Sequence, residues 1–224
     1  MTLPCCALAR SVTLRALIAA MVGLLAACGL SRPAPVKQTY LLQPQPPAQA
    51  ANTPRQGTLK VGAIAVAAQF RGKDLVYRET DLKYEADFYN EFFVAPSAML
   101  TESAATWLAA ARVFNDVLPS SANANGDYVL EGFVSELYGD YRDAAKPAAL
   151  LSAKFFLIDG RNVSGVPVWQ TELTQRVALS GRGPDQLAAA LSSAWAAILN
   201  DLARQLAAVQ LPAKELQGST RQQR

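Results

Sequence analysis

The chain of 224 residues contains no histidine and only three cysteines. The lack of histidine excludes Ser-His-Asp and Cys-His catalysis, and it removes the side chain that most zinc sites use. The sequence also has no Gly-rich loop ending in Gly-Lys-Ser/Thr, which excludes a P-loop nucleotide site. We therefore expect a protein that is not an enzyme and that binds no cofactor.

Neither sign of charge is in large excess, since 21 Lys and Arg stand against 18 Asp and Glu. A near-neutral balance without a basic run gives no long-range attraction for nucleic acid, so we expect no nucleic-acid partner. Five acidic residues crowd between positions 79 and 91, but no Asp-x-Asn/Asp-x-Gly loop accompanies them. We therefore expect no metal site and interpret these acids as a solvated edge.

The N-terminus carries the strongest localisation signal. Arg10 and Arg15 precede an uncharged apolar run over residues 16–27, which is too short to span a bilayer as a helix. The run ends in Leu-Ala-Ala before Cys28, and this pattern resembles the bacterial lipobox. We expect residues 1–27 to be a lipoprotein signal peptide and Cys28 to be the lipidation site. An ordinary signal peptide with an incidental cysteine is the alternative.

A lipobox implies an N-terminal cysteine with three acyl chains, and two or more chains anchor a protein stably. Gly29 follows the cysteine. By resemblance to lipoproteins of diderm bacteria, the absence of Asp there implies transfer to the inner leaflet of the outer membrane, on its periplasmic face. Cys5 and Cys6 lie in the signal, so the mature chain has no pair of cysteines for a disulfide.

Composition divides the mature chain into three parts. Residues 28–57 are rich in Pro, Ala and Gln and predict an extended tether, with a short apolar edge strand at Tyr40-Leu41-Leu42 that docks on the domain. Residues 58–210 predict a single domain, and the polar residues 211–224 predict a disordered tail.

Hydrophobic periodicity predicts the elements of this domain. Apolar residues at spacings of three and four predict helices over residues 96–118 and 183–209. Strands are predicted over residues 59–66, 75–78, 83–85, 128–138, 148–158 and 168–177. We expect an α+β two-layer sandwich in which a mostly antiparallel sheet of about five strands packs against two long amphipathic helices. Trp107, Trp169 and Trp195 are expected in the core between the layers.

The order of these motifs resembles one family. A lipobox and a Pro-rich stalk are followed by Tyr40-Leu41-Leu42, by Leu75-Val76-Tyr77-Arg78, and by an aromatic segment, Tyr89 to Pro96, that leads into Met99-Leu100. The tail match begins at Leu187. Most of the mature chain thus resembles the ABC-type transport auxiliary lipoprotein family, whose members accompany MCE-type lipid transport systems in diderm bacteria.

The resemblance implies an accessory role without ATPase activity. The expected partners are the inner leaflet of the outer membrane, through the acyl chains, and an MCE-type periplasmic protein of an ABC lipid transporter. Two alternatives stay open at this point. One is an assembly or regulatory lipoprotein of another envelope machine, for peptidoglycan or lipopolysaccharide, and the other is a direct periplasmic lipid carrier.

The densest aromatics, over residues 84–94, supply the candidate binding residues. Phe88, Tyr89, Phe92 and Phe93 are separated by acids, which suits a protein interface better than nucleic acid. Some of these rings are expected to face a partner, and the alternative is that they cap the core. Arg78 has two interpretations as well, a contact with a partner carboxylate or phosphate and a structural ion pair with the nearby acids.

Overall fold

The structure, a computed structural model, describes residues 36–46, 53–162 and 165–211. The signal peptide over 1–27, the lipidation site Cys28, residues 29–35 and 47–52 of the predicted tether and the tail from 212 lie outside the described residues. No helix within the described ranges is long and apolar enough to cross a membrane.

Eight strands, one short 3₁₀ turn and two helices make up the described residues. In chain order they are β1 (Gln38–Tyr40), β2 (Arg55–Val66), the 3₁₀ turn (Ala68–Phe70), β3 (Asp74–Arg78), β4 (Tyr84–Phe92), α1 (Pro96–Ala110), β5 (Phe114–Leu118), β6 (Tyr128–Asp140), β7 (Ala148–Asp159), β8 (Pro167–Ala178) and α2 (Pro184–Ala208).

The predictions for the second half of the chain are confirmed to within a few residues. β6, β7, β8 and α2 all lie where the periodicity places them. In β8, exposed and half-buried side chains alternate from Val168 to Ala178, as period-2 patterning requires. α2 begins at Pro184, where a missing backbone N–H costs nothing, and Asp185 lies in its first turn.

The first helix is shorter than predicted. α1 ends at Ala110, and residues 114–118, which we assigned to the helix, form β5. The chain leaves the helix because Arg112 adopts a left-handed conformation with φ of 50°, which ends the helical hydrogen-bond pattern. Phe114 is nevertheless buried. Its apolar character therefore predicted a core residue correctly, although the residue lies in a strand and not in the helix.

The sheet is larger and more mixed than predicted. It has eight strands among the described residues instead of about five, in the order β1-β4-β3-β6-β2-β5, with β7 and β8 on the other side of β6. Four of the paired neighbours are parallel and three are antiparallel, although the antiparallel pairs β6–β7 and β7–β8 are the longest. The prediction of a mostly antiparallel sheet of about five strands is therefore corrected, while the α+β class agrees with the structure.

One edge of β6 serves two strands in succession. Its first part pairs with β2 as far as Val134, and its end pairs with β3 at Gly139 and Asp140. The 3₁₀ turn lies in the connection between β2 and β3. Short βαβ and hairpin signals in the sequence do not reveal such a shared edge, because it joins residues far apart in the chain.

The helices cover one face of the sheet and contact each other. α1 packs on β2 and β5, and α2 packs on β7 and β8. The indole Nε1 of Trp195 donates a hydrogen bond of 2.9 Å to Ser103 Oγ, which joins the two helices. Trp107 and Trp195 lie in the core as predicted, whereas Trp169 is only partly buried on β8.

Residues from the predicted tether contribute to this unit. β1 and the start of β2 lie within residues 28–57, and β1 pairs with β4 two residues earlier than the predicted edge strand. Leu42 is buried, and its backbone N–H contacts Met99 Sδ at 3.1 Å. The N–H of Gln43 donates to Ser192 Oγ at 3.1 Å, so this segment contacts both helices.

A buried carboxylate ties the ends of β6 and β8 together. Asp140 is 2% exposed and accepts hydrogen bonds from Arg142 Nη2 at 3.0 Å and Arg176 Nη1 at 2.6 Å. Arg142 also reaches Asp81 at 2.8 Å, which fixes the turn after β3. The hydrogen bonds from Arg142 hold the pKa of Asp140 well below its ordinary value, against the effect of its burial and with further help from Arg176.

We predict that Asp140→Asn destabilises the fold by about 1–3 kcal/mol, because two guanidinium groups lose their charged partner. The depressed pKa of Asp140 means that its contribution is complete above the unfolded value of about 3.9 and is lost as the pH falls below it. Thermal unfolding between about pH 7 and pH 3 measures this, and the variant should show the shallower pH dependence. Equal slopes for the two proteins would contradict this role of Asp140.

Candidate functional site

β4 carries a bulge of several residues at the predicted aromatic segment. Asp74 pairs with Glu91 and Val76 pairs with Ala86, so residues 87–90 lie opposite Leu75 alone. The strand predicted over residues 83–85 thus continues through most of the aromatic segment, with extra residues on one side. A bulge re-aims the side chains that it contains, since the alternation of faces is interrupted there.

Asp87 organises the bulge. Its Oδ1 accepts the backbone N–H groups of Tyr89 at 2.9 Å and Asn90 at 3.0 Å, and its Oδ2 accepts Asn90 Nδ2 at 2.9 Å. The hydroxyl of Tyr77, on the neighbouring strand β3, donates to Oδ2 at 3.0 Å. This is an Asx-type turn cross-linked to the next strand, so the bulge has one defined conformation.

The titration behaviour of these groups follows from the same contacts. Burial by itself raises the pKa of Asp87, but the hydrogen bonds from Asn90, Tyr89 and Tyr77 outweigh it and lower the pKa below its ordinary value. Burial, and then the bond to Asp87, raise the pKa of the Tyr77 hydroxyl. At neutral pH the bulge therefore contains a charged acceptor and a neutral donor.

The structure separates the four predicted aromatic residues into an exposed group and a buried residue. Phe88, Tyr89 and Phe93 are 69%, 46% and 59% exposed, and we call these three residues the aromatic edge. The rings of Phe88 and Tyr89 meet edge to face at 5.1 Å. Phe92 is 2% exposed and lies in the core cluster, so the structure assigns it to packing.

Lys37 contacts the aromatic edge and a neighbouring acid. Lys37 Nζ lies 5.1 Å from the centroid of Phe88 and 2.9 Å from a carboxylate oxygen of Glu91. Lys37 directly precedes β1, which pairs with β4 along Asn90 to Phe92. The aromatic edge thus lies where the folded unit begins in the chain.

An apolar groove lies between residues 41–46, which follow β1, and helix α1. It has a volume of about 340 Å³. Its lining includes Leu41, Val94, Met99 and Trp107, of which Leu41 and Val94 are exposed.

Arg78 is engaged within the chain. Its Nη1 donates to the hydroxyl of Tyr138 at 3.1 Å, and its remaining donors reach the carbonyl oxygens of Thr80 and Asp81. The guanidinium also lies 5.3 Å from the ring of Tyr84. The acid that Arg78 approaches is Asp81, at 3.8 Å.

Sequence reasoning missed Asp87, Tyr77 and Lys37. The pattern Asp87-Phe88-Tyr89-Asn90 is an Asx-turn signal that would have singled out the first of these. Tyr77 and Lys37 contact this region only through strand pairing, which no local pattern encodes. Within the described ranges no three His, Cys, Asp or Glu side chains are grouped so as to hold a metal ion.

We predict that Asp87→Ala loosens the bulge and lowers the free energy of unfolding by about 1–3 kcal/mol, because several donors lose one acceptor. Hydrogen exchange should accelerate at the amides of Tyr89 and Asn90, the two that Asp87 binds. Asp87→Asn is the matched control, since an amide oxygen still accepts backbone N–H groups and should keep partial protection. Unchanged exchange in the alanine variant would contradict the role given to Asp87.

Comparisons with known proteins bear on the whole unit. A comparison with curated proteins found no match. A crystal structure of a Xanthomonas campestris protein superposes with a TM-score of 0.64 at 18% identity, covering 74% of this chain and 92% of that one. A second crystal structure, of an uncharacterized protein, superposes with a TM-score of 0.61 at 19% identity, covering 76% and 99%. These likenesses show a shared fold.

The sequence also matches a described family over residues 40–203, from the end of β1 into α2. This stretch includes the Arg78 strand, the aromatic edge, α1 and most of α2, and it spans well over half of the chain. The protein therefore belongs to the family of ABC-type transport auxiliary lipoprotein components.

Proposed function

We propose that this protein is a lipid-anchored accessory component of an ABC/MCE-type intermembrane lipid transport system, and that it docks the periplasmic assembly at the outer membrane. Membership in a family of lipoproteins auxiliary to ABC-type transport supports the general role. The single observation that carries the docking step is the aromatic edge, whose exposed rings Phe88 and Tyr89 lie on a bulge that Asp87 holds in place.

Exposed aromatic side chains on a rigid support are suited to capture another protein. Phe and Tyr are enriched at interfaces, because they bury a large area while losing little conformational freedom. The bulge is already ordered by Asp87 and Tyr77, so binding need not order it. The three rings of the aromatic edge, and not Phe92, are the proposed contacts with the MCE-type protein.

Tethering completes the mechanism. The acyl chains on Cys28 hold one end of the chain in the inner leaflet of the outer membrane, and the Pro-rich segment connects them to the folded unit. A tether raises the effective concentration of the binding surface, so a weak contact at the aromatic edge suffices. The protein acts by binding, without catalysing a reaction.

We predict that the double variant Phe88→Ala/Tyr89→Ala weakens capture of the MCE-type partner by about tenfold or more, since central aromatic residues dominate interface energies. Its stability should change by only about 0.5 kcal/mol, because both rings are exposed. The measurement pairs affinity for the partner with thermal unfolding.

Phe92→Ala is the matched control for this experiment. It removes a neighbouring ring that is buried, so it should destabilise the fold by about 3–5 kcal/mol. If the double variant unfolds as readily as the control, the rings of the aromatic edge serve packing. If purification of the full chain recovers a peptidoglycan synthase or a lipopolysaccharide insertion protein and no MCE protein, another envelope machine is the partner.

We predict that mass spectrometry of the protein from cells finds diacylglyceryl and N-acyl groups on Cys28, and that Cys28→Ser leaves it unmodified. An unmodified Cys28 in the native protein would contradict the anchor.

The apolar groove favours a second candidate function, that of a direct lipid carrier. Its volume of about 340 Å³ and its apolar lining suit part of an acyl chain. Organic extraction of the purified protein separates the two functions. A carrier should yield close to one phospholipid per protein, beyond its covalent acyl chains, whereas a docking component should yield none.

A further inference from the structure

The last strand, β8, forms a long free edge of the sheet. It has 12 residues and pairs only with β7 among the described strands. The strands at the other ends of the sheet are β1, with three residues, and β5, with five. Natural proteins keep edge strands short because an unpaired strand invites another chain.

The hydrogen-bonding groups at this edge can be identified from the register. Leu179 N–H donates to Pro147 O at 2.9 Å, and the pairing continues without interruption from there along Val177, Gln175 and Leu173. In an antiparallel pair every second residue points its N–H and C=O to the neighbour, so these odd-numbered residues bond to β7. The backbone N–H and C=O groups of Glu172, Thr174 and Arg176 therefore point away from the sheet, and no described residue bonds to these groups.

β8 carries the charged side chains Glu172 and Arg176, but other features that usually protect an edge are missing from it. Between Trp169 and Ala178 the strand contains no lysine, no proline and no bulge. The core residues of β8 are also less completely buried than those of β7. Leu173 and Val177, which face the helices, are only partly buried, whereas Leu151 and Phe155 on β7 are fully buried.

The side chains on the free edge are self-complementary. Antiparallel pairing of two copies of β8 about a twofold axis at Thr174 places each Glu172 opposite Arg176 of the second copy. Opposite residues lie on the same face, and a cross-strand pair of opposite charge stabilises a sheet. Arg176 remains 46% exposed while it binds Asp140, and Glu172 is exposed, so both are accessible to a second chain.

We propose that two copies of this protein associate through their β8 strands, paired antiparallel about Thr174, to join two eight-stranded sheets into one. The interface is isologous and closes at two copies, because each β8 edge is used once. It also covers the partly buried residues at the margin of the core. The aromatic edge lies on β4, near the opposite end of the strand order, so both copies keep it available.

A cysteine cross-link tests the proposed register. Thr174→Cys in the full chain places two thiols across the axis at a Cα separation of about 5.5 Å, which a disulfide spans. Oxidation in cells should give a dimer on a non-reducing gel. Gln170→Cys is the matched control on the same strand and face, because its two copies lie about 27 Å apart in this register. Equal cross-linking of both variants, or cross-linking of the Thr174→Cys variant to a different protein, would overturn the proposal.

A proline tests the hydrogen bonds of the edge. Glu172→Pro removes an N–H that faces away from β7 and so should leave the fold intact, as circular dichroism checks. Sedimentation velocity of the full chain in detergent should show its dimer dissociation constant raised by about tenfold or more, and that of Glu172→Ala by about two- to fivefold. A monomer at every concentration, or dimers unaffected by the proline, would overturn the proposal. Neither readout involves the transport partner, so failure here is distinguishable from failure of the proposed function.

Discussion

The fold and the candidate site both depend on the pairing of β6. This strand bonds to β7 along its whole length on one side, and on the other side it accepts β2 and then β3. On that second side β2 pairs as far as Val134, and β3 pairs at Gly139 and Asp140. β3 in turn positions β4, whose bulge presents Phe88 and Tyr89 to solvent. A change in the pairing of β6 would therefore move the aromatic edge, although no residue of β6 belongs to it.

Two aspartates fix positions that hydrophobic packing alone leaves undefined. Asp140 joins β6 to β8 and to the turn after β3 through two arginines. Asp87 accepts four hydrogen bonds at the bulge, from two backbone N–H groups and two side chains. Both carboxylates have lowered pKa values, because the hydrogen bonds they accept favour the charged form over the cost of burial. Apolar contacts stabilise the sandwich without specifying direction, whereas these acceptors define which atoms meet.

The architecture suits a protein that works through its surfaces. One side of the sheet carries the aromatic edge, near the residue at which the folded unit begins, and the other ends in the free strand β8. Docking at one edge and pairing at the other are compatible, because they use strands at opposite ends of the order. Avidity would then add to a weak individual contact.

The sequence by itself determined the elements whose signals are local. The alternation in β8, the helical spacing in α2 with Pro184 at its start, and the family likeness over most of the chain were all readable from the residues. It also located the aromatic segment that carries the candidate site. The tertiary structure decided that residues 114–118 form β5 after Arg112 turns the chain, that β6 pairs with two strands on one edge, and that Phe92 is buried while Phe88 and Tyr89 are exposed. These outcomes depend on pairing between residues distant in sequence, and hydrophobic periodicity reports which side chains are apolar but not which strand lies beside them.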